Sequence, residues 1–335
     1  VLCYTRNVPP IVRLFAAHVL LATASCPAIV VDEDFTLARA ATLASNFPSA
    51  GSVLIQEGAS SYRGSGVLVA PDWVLTAGHN WLADEVTDLS FIIGGQTIAA
   101  QSGQWFHHPL WDADPTLSPS NGWDIALFQL SSPVTGVAPA SWYTGTNELG
   151  SQITLVGSGL AGTGATGPQP NASATLYAAN NTIDRVLDTD LGGIASGLLA
   201  LDFDSGDIAR NSLDGTSVYD TGGDPLNSIP NGTIFSLSSA TNVLVLEGTS
   251  AGGDSGGPAF ADFGHGFELV GIVSWGVNPT DPSRPYGSGY GDVTYLTRVS
   301  AFDDWIRATI PEPSLSYAVA LMALALVFAR RPKHD

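Results

Sequence analysis

The chain has 335 residues, of which only 13% are charged, with 37 glycines, 21 prolines and a formal net charge of −19. That length holds one large β domain or two smaller ones around an ample core, and the low charge with abundant turn formers suits an all-β protein. Between Ser25 and Pro313 there are 30 acidic and 7 basic residues and no lysine; such a surface repels phosphate, so nucleic acid and anionic membranes are excluded as its partners.

The N-terminal stretch "RNVPPIVRLFAAHVLLATASCPA" sets Arg6 and Arg13 before a mostly apolar run from Leu14 to Ala24, and small residues follow. This is the layout of an export signal over residues 1–24, with cleavage expected after Ala22-Thr23-Ala24. A lipoprotein cut before Cys26 fits less well, because Thr23 stands where a larger aliphatic residue is usual. Cys3 and Cys26 are the only cysteines. Cleavage after Ala24 leaves one, so no intramolecular disulfide forms, and the exported protein relies on its core and β ladders. Residues 25–49 are a candidate pro-segment.

From about 50 to 300 the chain runs in short apolar or alternating stretches bounded by Gly, Pro, Asn and Asp. "GSVLIQEG", "GSGVLVAPDWVLTAGH", "LSFIIGG", "DIALFQL", "QITLVGSG", "GLLALDFDSG", "TNVLVLEG", "FELVGIVSWG" and "VTYLTRV" all read as strands of antiparallel barrels or sandwiches. One helical period stands out in "SAFDDWIRATI", where Phe302, Trp305, Ile306 and Ile310 share a face. Residues 202–224 carry six aspartates, Asp202, Asp204, Asp207, Asp214, Asp220 and Asp224. "DFDSGD" could ligate calcium but lacks the spacing and closing Glu of an EF-hand loop, so a solvated acidic loop is the expectation and no metal or other cofactor is assigned.

Three polar residues stand at ends of apolar runs. Ser255 lies among four glycines in "EGTSAGGDSGGPAF", His79 closes "WVLTAGHN", and Asp124 opens "WDIALFQL". A serine hydroxyl attacks only when a neutral imidazole takes its proton, and that imidazole needs a carboxylate to fix its tautomer. An acid at the start of a buried strand needs a donor such as an imidazole N–H, because burying it alone costs several kcal/mol.

"LTAGHN", "DIALFQL" and "GGDSGGP" resemble the three active-site motifs of the chymotrypsin/trypsin-like serine peptidases, in that family's order of His, Asp and Ser. "HHPLW", "GIVSWG" and "YLTRVSAFDDWI" extend the resemblance to roughly residues 50–310. It implies two antiparallel six-stranded β-barrels, over 50–150 and 151–310, with a short C-terminal helix and an acidic insertion at 180–240. It makes Ser255 the nucleophile, His79 the general base and acid, and Asp124 the orienting carboxylate. The N–H groups of Gly253 and Ser255 become the oxyanion hole, and Ser274-Trp275-Gly276 becomes the strand edge that pairs with substrate. Thr249, six residues before Ser255, falls at the floor of the primary specificity pocket and favours neutral side chains, whereas Asp292 at its border would restore a basic preference. Asn80 and Ala251 stand where animal members carry disulfide cysteines. No Ile-Val-Gly-Gly-like maturation motif occurs in "DFTLARAATLASNFPSAGSVLIQ", and a cut after Arg39 would expose Ala40-Ala41, so the partner of Asp254 is left open.

Residues 311–335, "PEPSLSYAVALMALALVFARRPKHD", join Pro-Glu-Pro to a 15-residue apolar run from Leu315 to Ala329 and a basic end at Arg330, Arg331 and Lys333. The run is shorter than the roughly 20 residues of a full span but usable as a single membrane segment, basic end inside. It resembles the PEP-CTERM sorting tail of Gram-negative bacteria, which holds an exported protein in the inner membrane until an exosortase-type enzyme processes it. Together these features describe an exported serine endopeptidase, handled by signal peptidase and a sorting enzyme, acting on polypeptides in the periplasm, at the cell surface or outside. The competing reading is a catalytically silent protein of the same fold that binds the surface matrix. An α/β-hydrolase is disfavoured because Gly256-Gly257-Pro258 breaks the helix that fold needs after its serine.

Overall fold

The computed structural model describes residues 29–81, 86–113, 121–169, 175–190, 195–207, 210–213, 232–236, 243–277 and 287–311. The expected export signal, the C-terminal tail beyond residue 311, and Asp214, Asp220 and Asp224 lie outside them. Among the described residues no helix is long and apolar enough to cross a membrane.

The chain opens with strand β1 (Val30–Val31) and helix α1 (Leu37–Ala44), whose N-terminus is capped by the Thr36 hydroxyl accepting the Arg39 N–H. Six strands then close an antiparallel barrel: β2 (Ala50–Glu57), β3 (Ser60–Ala70), β4 (Trp73–Thr76), β5 (Asp88–Ile93), β6 (Gln96–His107) and β7 (Ala126–Leu130). Their order is β2-β3-β4-β7-β6-β5, with the short helix α2 (Pro109–Ala113) between β6 and β7. Alternation drives closure. Leu89, Phe91 and Ile93 of β5 point inward and meet Val53, Ile55, Leu68, Val74 and Phe128 in the barrel core.

The second unit contains β8 (Gln152–Gly157), β9 (Ala161–Thr163), β10 (Gly167–Gln169), β11 (Tyr177–Thr182), β12 (Arg185–Asp190), β13 (Ala195–Asp202), β14 (Gly232–Ser236), β15 (Gly248–Thr249), β16 (Pro258–Asp262), β17 (Phe267–Val277) and β18 (Val293–Arg298). The described residues form an eight-stranded sheet, β11-β8-β16-β17-β18-β13-β12-β14, and a small sheet, β10-β9-β1-β15. Two residues after β11 ends the same run continues as β12, so it pairs with β8 at one end and with β13 at the other. The stretch expected as an acidic insertion contributes its own ladder, since β12 pairs with β13 on one side and with β14 on the other. Residues 29–49 are likewise built into the fold. Val30 and Val31 pair antiparallel with Thr249 and Gly248 and parallel with Gly162 and Thr163.

The expected helical period ends the described chain as a 3-10 turn over Val299–Phe302 and helix α3 (Asp303–Thr309), with Phe302 and Ile306 buried. They join one core that spans both units: Val67, Leu75, Ile125 and Leu127 from the barrel meet Val156, Phe260, Ile272 and Val299. This shared core fixes the ends of β4 and β7 against the loop before β16.

The expectation of a solvated acidic loop fails at Asp202 and Asp204, which are only 1% and 7% exposed, while Asp207 is exposed. Asp202 Oδ2 accepts the N–H groups of Ser212 (2.6 Å) and Leu213 (3.0 Å), and the Asp184 and Asp202 carboxyls are hydrogen-bonded to each other. Glu247, also buried, accepts the Asp204 N–H at 2.9 Å. No three metal-ligating side chains converge among the described residues. Burial and the Asp202 charge push Asp184 up to about 9. Burial, with Asp202 and Glu247 nearby, pushes Asp204 up to about 8, and burial raises Glu247 to about 7. The folded state therefore retains protons that the unfolded chain has released, so these groups favour folding at low pH and lose that contribution as pH rises from about 4 to about 9. The thermal unfolding midpoint is expected to fall across that range, and Asp184→Asn to flatten the part of the decline nearest pH 9, as followed by calorimetry.

Candidate active site

β4 is fully buried and ends at Thr76; after Ala77 the chain tightens into the 3-10 turn Gly78–Asn80, which lifts His79 out of the barrel wall. Gly78 is needed there, since a Cβ would come within 3.0 Å of the Trp111 ring and 3.3 Å of Asp124 Oδ1. His107, buried at the end of β6, steadies the turn. Its Nε2 donates to the carbonyls of Gly78 (3.0 Å) and Trp81 (3.1 Å), while its ring stacks on Trp81. Sequence reading used the His107-His108 pair only as part of a motif and missed this support.

Asp124 is fully buried just before β7. Its Oδ1 accepts the His79 N–H at 2.7 Å and its Oδ2 lies 2.6 Å from His79 Nδ1. The carboxylate can only accept, so Nδ1 carries the proton and Nε2 offers its lone pair to Ser255 Oγ, 2.7 Å away. Ser274 occupies the bulge in β17 between Val273 and Trp275, and its hydroxyl donates to Asp124 Oδ2. The side chain of Ser274, expected only as part of a strand edge whose backbone pairs with substrate, faces the buried acid. Burial lowers the His79 pKa, but the charge and hydrogen bond of Asp124 outweigh it, and the ring, about 33% exposed, ends with a raised value. Burial likewise raises Asp124, and His79 and Ser274 overcome it to leave the acid below its usual range.

Ser255 sits between Gly253 (φ 91°) and Gly256 (φ 83°), left-handed positions that suit glycine. At Gly256 a Cβ would also lie 2.0 Å from Thr76 Oγ1. The turn is closed by Asp254 N–H to Ala251 C=O (3.0 Å) and Gly257 N–H to Asp254 C=O (2.7 Å). Among the described residues no acceptor takes the N–H of Gly253 or Ser255, which leaves both donors for a ligand oxygen.

Asp254, fully buried, has three backbone donors: Ile29 (3.0 Å) and Ala251 (2.8 Å) on Oδ2, and Gly159 (2.8 Å) on Oδ1. This answers the question the sequence left open. The partner is Ile29, upstream of the stretch searched for a maturation motif, and Ala40 is buried within α1. The run Ile29-Val30-Val31 was the available signal. Burial raises Asp254 to about 7, against the lowering effect of the three N–H groups.

Thr249 and Thr294 are buried, with their hydroxyls 2.8 Å apart, and Ser250 Oγ lies 3.0 Å from Thr294 Oγ1. Thr294 pairs with Gly276, and Trp275 stacks on Tyr295 at 4.1 Å. The carboxylate of Asp292 is turned into its own loop, where Oδ2 accepts the N–H groups of Gly287 (3.1 Å) and Gly289 (3.0 Å).

A mostly β chain of two packed units, with a serine, histidine and aspartate in hydrogen-bonded series between them, defines a class of protein. The trypsin family profile matches residues 39–207 and 230–306, and the chain belongs to that family. "Trypsin" of Phaedon cochleariae is 39% identical over 82 residues, 24% of this chain and 27% of that protein. "Proproteinase E" of Bos taurus is 37% identical over 84 residues, 23% of this chain and 32% of that protein. The chain thus spans a third or less of these curated relatives. Mouse neuropsin, a serine protease, superposes with a TM-score of 0.49 and 21% identity, covering 79% of this chain and 95% of its own. HL collagenase gives 0.47 and 17% over the same shares.

A base must be neutral to accept a proton, so the raised His79 pKa sets the acid limit of any reaction that uses it. Reaction of Ser255 with a fluorophosphonate is expected to rise with pH through a midpoint above 6.5, the ordinary histidine value. Asp124→Asn leaves burial to lower His79, so it should move that limb to lower pH and slow labelling by roughly 10⁴-fold by inverting the tautomer, read from labelling rates across pH.

Proposed function

We propose that the protein is a serine endopeptidase working through His79, Asp124 and Ser255. The observation that carries the reading is the unbroken series from Asp124 Oδ2 to His79 Nδ1 (2.6 Å) and from Nε2 to Ser255 Oγ (2.7 Å). Ser255 Oγ attacks the scissile carbonyl carbon as its proton passes to His79 Nε2. The tetrahedral oxyanion is received by the N–H groups of Gly253 and Ser255. His79 then gives the proton to the leaving amine as the C–N bond breaks. Water, deprotonated by the same imidazole, cleaves the acyl-enzyme and restores Ser255. Each oxyanion donor supplies about 3 kcal/mol of transition-state stabilisation.

The linked hydroxyls of Thr249, Ser250 and Thr294, with Asp292 committed to its own loop, support cleavage after small-to-medium neutral side chains rather than Arg or Lys. Trp275 and Gly276 serve as the strand edge that pairs with the substrate backbone. Activity is tested with a fluorophosphonate and a peptide library beside Ser255→Ala. Wild-type labelling and cleavage after neutral residues are expected, with neither in the variant. An unlabelled wild type supports the matrix-binding alternative, and cleavage after Arg or Lys overturns the pocket assignment.

Maturation by a cut between Ala28 and Ile29 follows from the same geometry. In the unbroken chain Ile29 has φ 60°, a strained conformation for a β-branched residue, and offers Asp254 only a neutral N–H. A free terminus has no φ to strain and places an ammonium against the carboxylate, which keeps Asp254 ionised. This cut would come after the export cut expected at Ala24 and remove residues 25–28. Mass spectrometry of the active protein should find Ile29 first; full activity in a chain that begins upstream overturns the assignment. Export, and retention by the sorting tail until processing, rest on the two terminal sequences and place the enzyme in the periplasm, at the cell surface or outside a Gram-negative cell.

A further inference from the structure

The turn that carries Ser255 is held from outside at three carbonyls. Gly252 C=O accepts the Leu160 N–H (2.7 Å), and Gly253 C=O accepts the Ser65 hydroxyl (3.1 Å). Ser255 C=O accepts two donors, the Ser65 N–H (2.8 Å) and Asn80 Nδ2 (3.0 Å). Two of the residues responsible, Ser65 and Asn80, belong to the first barrel, while the turn belongs to the second unit. Peptide units are planar, so fixing a carbonyl also fixes the N–H on its far side; the Gly252 bond sets the direction of the Gly253 N–H.

Asn80 directly follows His79 in the 3-10 turn. A carbonyl only accepts, so the side of the Asn80 amide facing Ser255 must be its NH₂. A second hydrogen of that group goes to Thr76 Oγ1 at 2.7 Å, and the Thr76 hydroxyl in turn donates to Ser65 C=O at 2.7 Å. Ser65 N–H returns to Ser255 C=O and closes the ring. The amide has little freedom within it. A Cβ on Gly64 would lie 2.7–2.9 Å from the Asn80 amide atoms, and one on Gly256 would strike Thr76 Oγ1.

We propose that Asn80 is a positioning residue for the nucleophile: its amide ties the turn of His79 to the carbonyl of Ser255 and so sets the distance across which the proton moves. This rests on the peptidase reading above. The mature full-length protein, Asn80→Ala and Asn80→Asp are compared at a pH above the His79 titration, by steady-state hydrolysis of one neutral-residue peptide, fluorophosphonate labelling rate and thermal midpoint. The Asp variant keeps the shape but cannot donate when ionised, so it separates hydrogen bonding from packing.

Both variants are expected to lose roughly ten- to a hundredfold in kcat with KM within about threefold, the pattern of misplacement of reacting groups without loss of substrate binding. Labelling should slow by the same factor, because it also requires Ser255 to reach His79. An Asn80→Asp protein that folds and retains wild-type kcat overturns the proposal, as does a loss confined to KM. If Asn80→Asp fails to fold, Asn80 is a scaffold residue and the proposal is again overturned. A wild type that takes no label overturns the peptidase reading, and this proposal with it.

Discussion

The carboxylate of Asp254 is the constraint around which the site is arranged. It is fully buried next to Ser255, and a buried acid must find donors or stay neutral. Its three donors come from separate parts of the chain: Ile29 at the start of the described residues, Gly159 after β8, and Ala251 in its own turn. Satisfying one side chain therefore draws three segments together. The approach is close enough to dictate sequence. A Cβ on Gly157 would lie 2.1 Å from Asp254 Oδ1, and one on Gly159 would lie 2.5 Å from the Asp254 nitrogen. Once Ile29 is drawn in, Val30 and Val31 are in register with Thr249 and Gly248, so the same contact orders the strand that carries Thr249.

The two units divide the work. The barrel contributes His79 and Asp124 at the ends of β4 and β7, whereas the second unit contributes Ser255 and Ser274. The 2.7 Å contact of His79 Nε2 with Ser255 Oγ across that seam tolerates shifts of only a few tenths of an ångström. Close packing of Leu75, Ile125 and Leu127 against Phe260, Ile272 and Phe302 supplies the necessary rigidity. Positions where animal members carry cysteines are filled differently. The Asn80 amide lies against Gly64 and bonds across the seam, and Ala251 is buried with Val30 and Phe203. In these places polar and apolar contacts stand where a covalent bridge would otherwise be.

Much of this was legible in the sequence, for local reasons. His79, Asp124 and Ser255 could be found because each is a polar residue at the end of an apolar strand or inside a glycine turn, and such interruptions have few structural uses. The C-terminal helix was legible from its period. Other features misled. Asp202 and Asp204 look like solvent-exposed charge but are buried, because Ser212 and Leu213 N–H groups and a shared carboxyl hydrogen bond receive them. Ile29 falls in the expected pro-segment, and its β-branched run marks a strand without saying that its amide serves a carboxylate 225 positions away. The eight-stranded sheet was hidden for a related reason, as strand count is written in pairings and not in runs.

By itself the sequence determined the strand content, the three motifs and their order, the acidic surface and the absence of lysine between the two terminal segments. Those properties depend on residue type and spacing over a few neighbours. The tertiary structure decided which donor meets Asp254, which way Ser274 and Asp292 turn, and how Asn80 closes a ring with Thr76, Ser65 and Ser255. Each depends on the approach of segments far apart in the chain, at distances set by the packing of two cores. No local pattern encodes that distance.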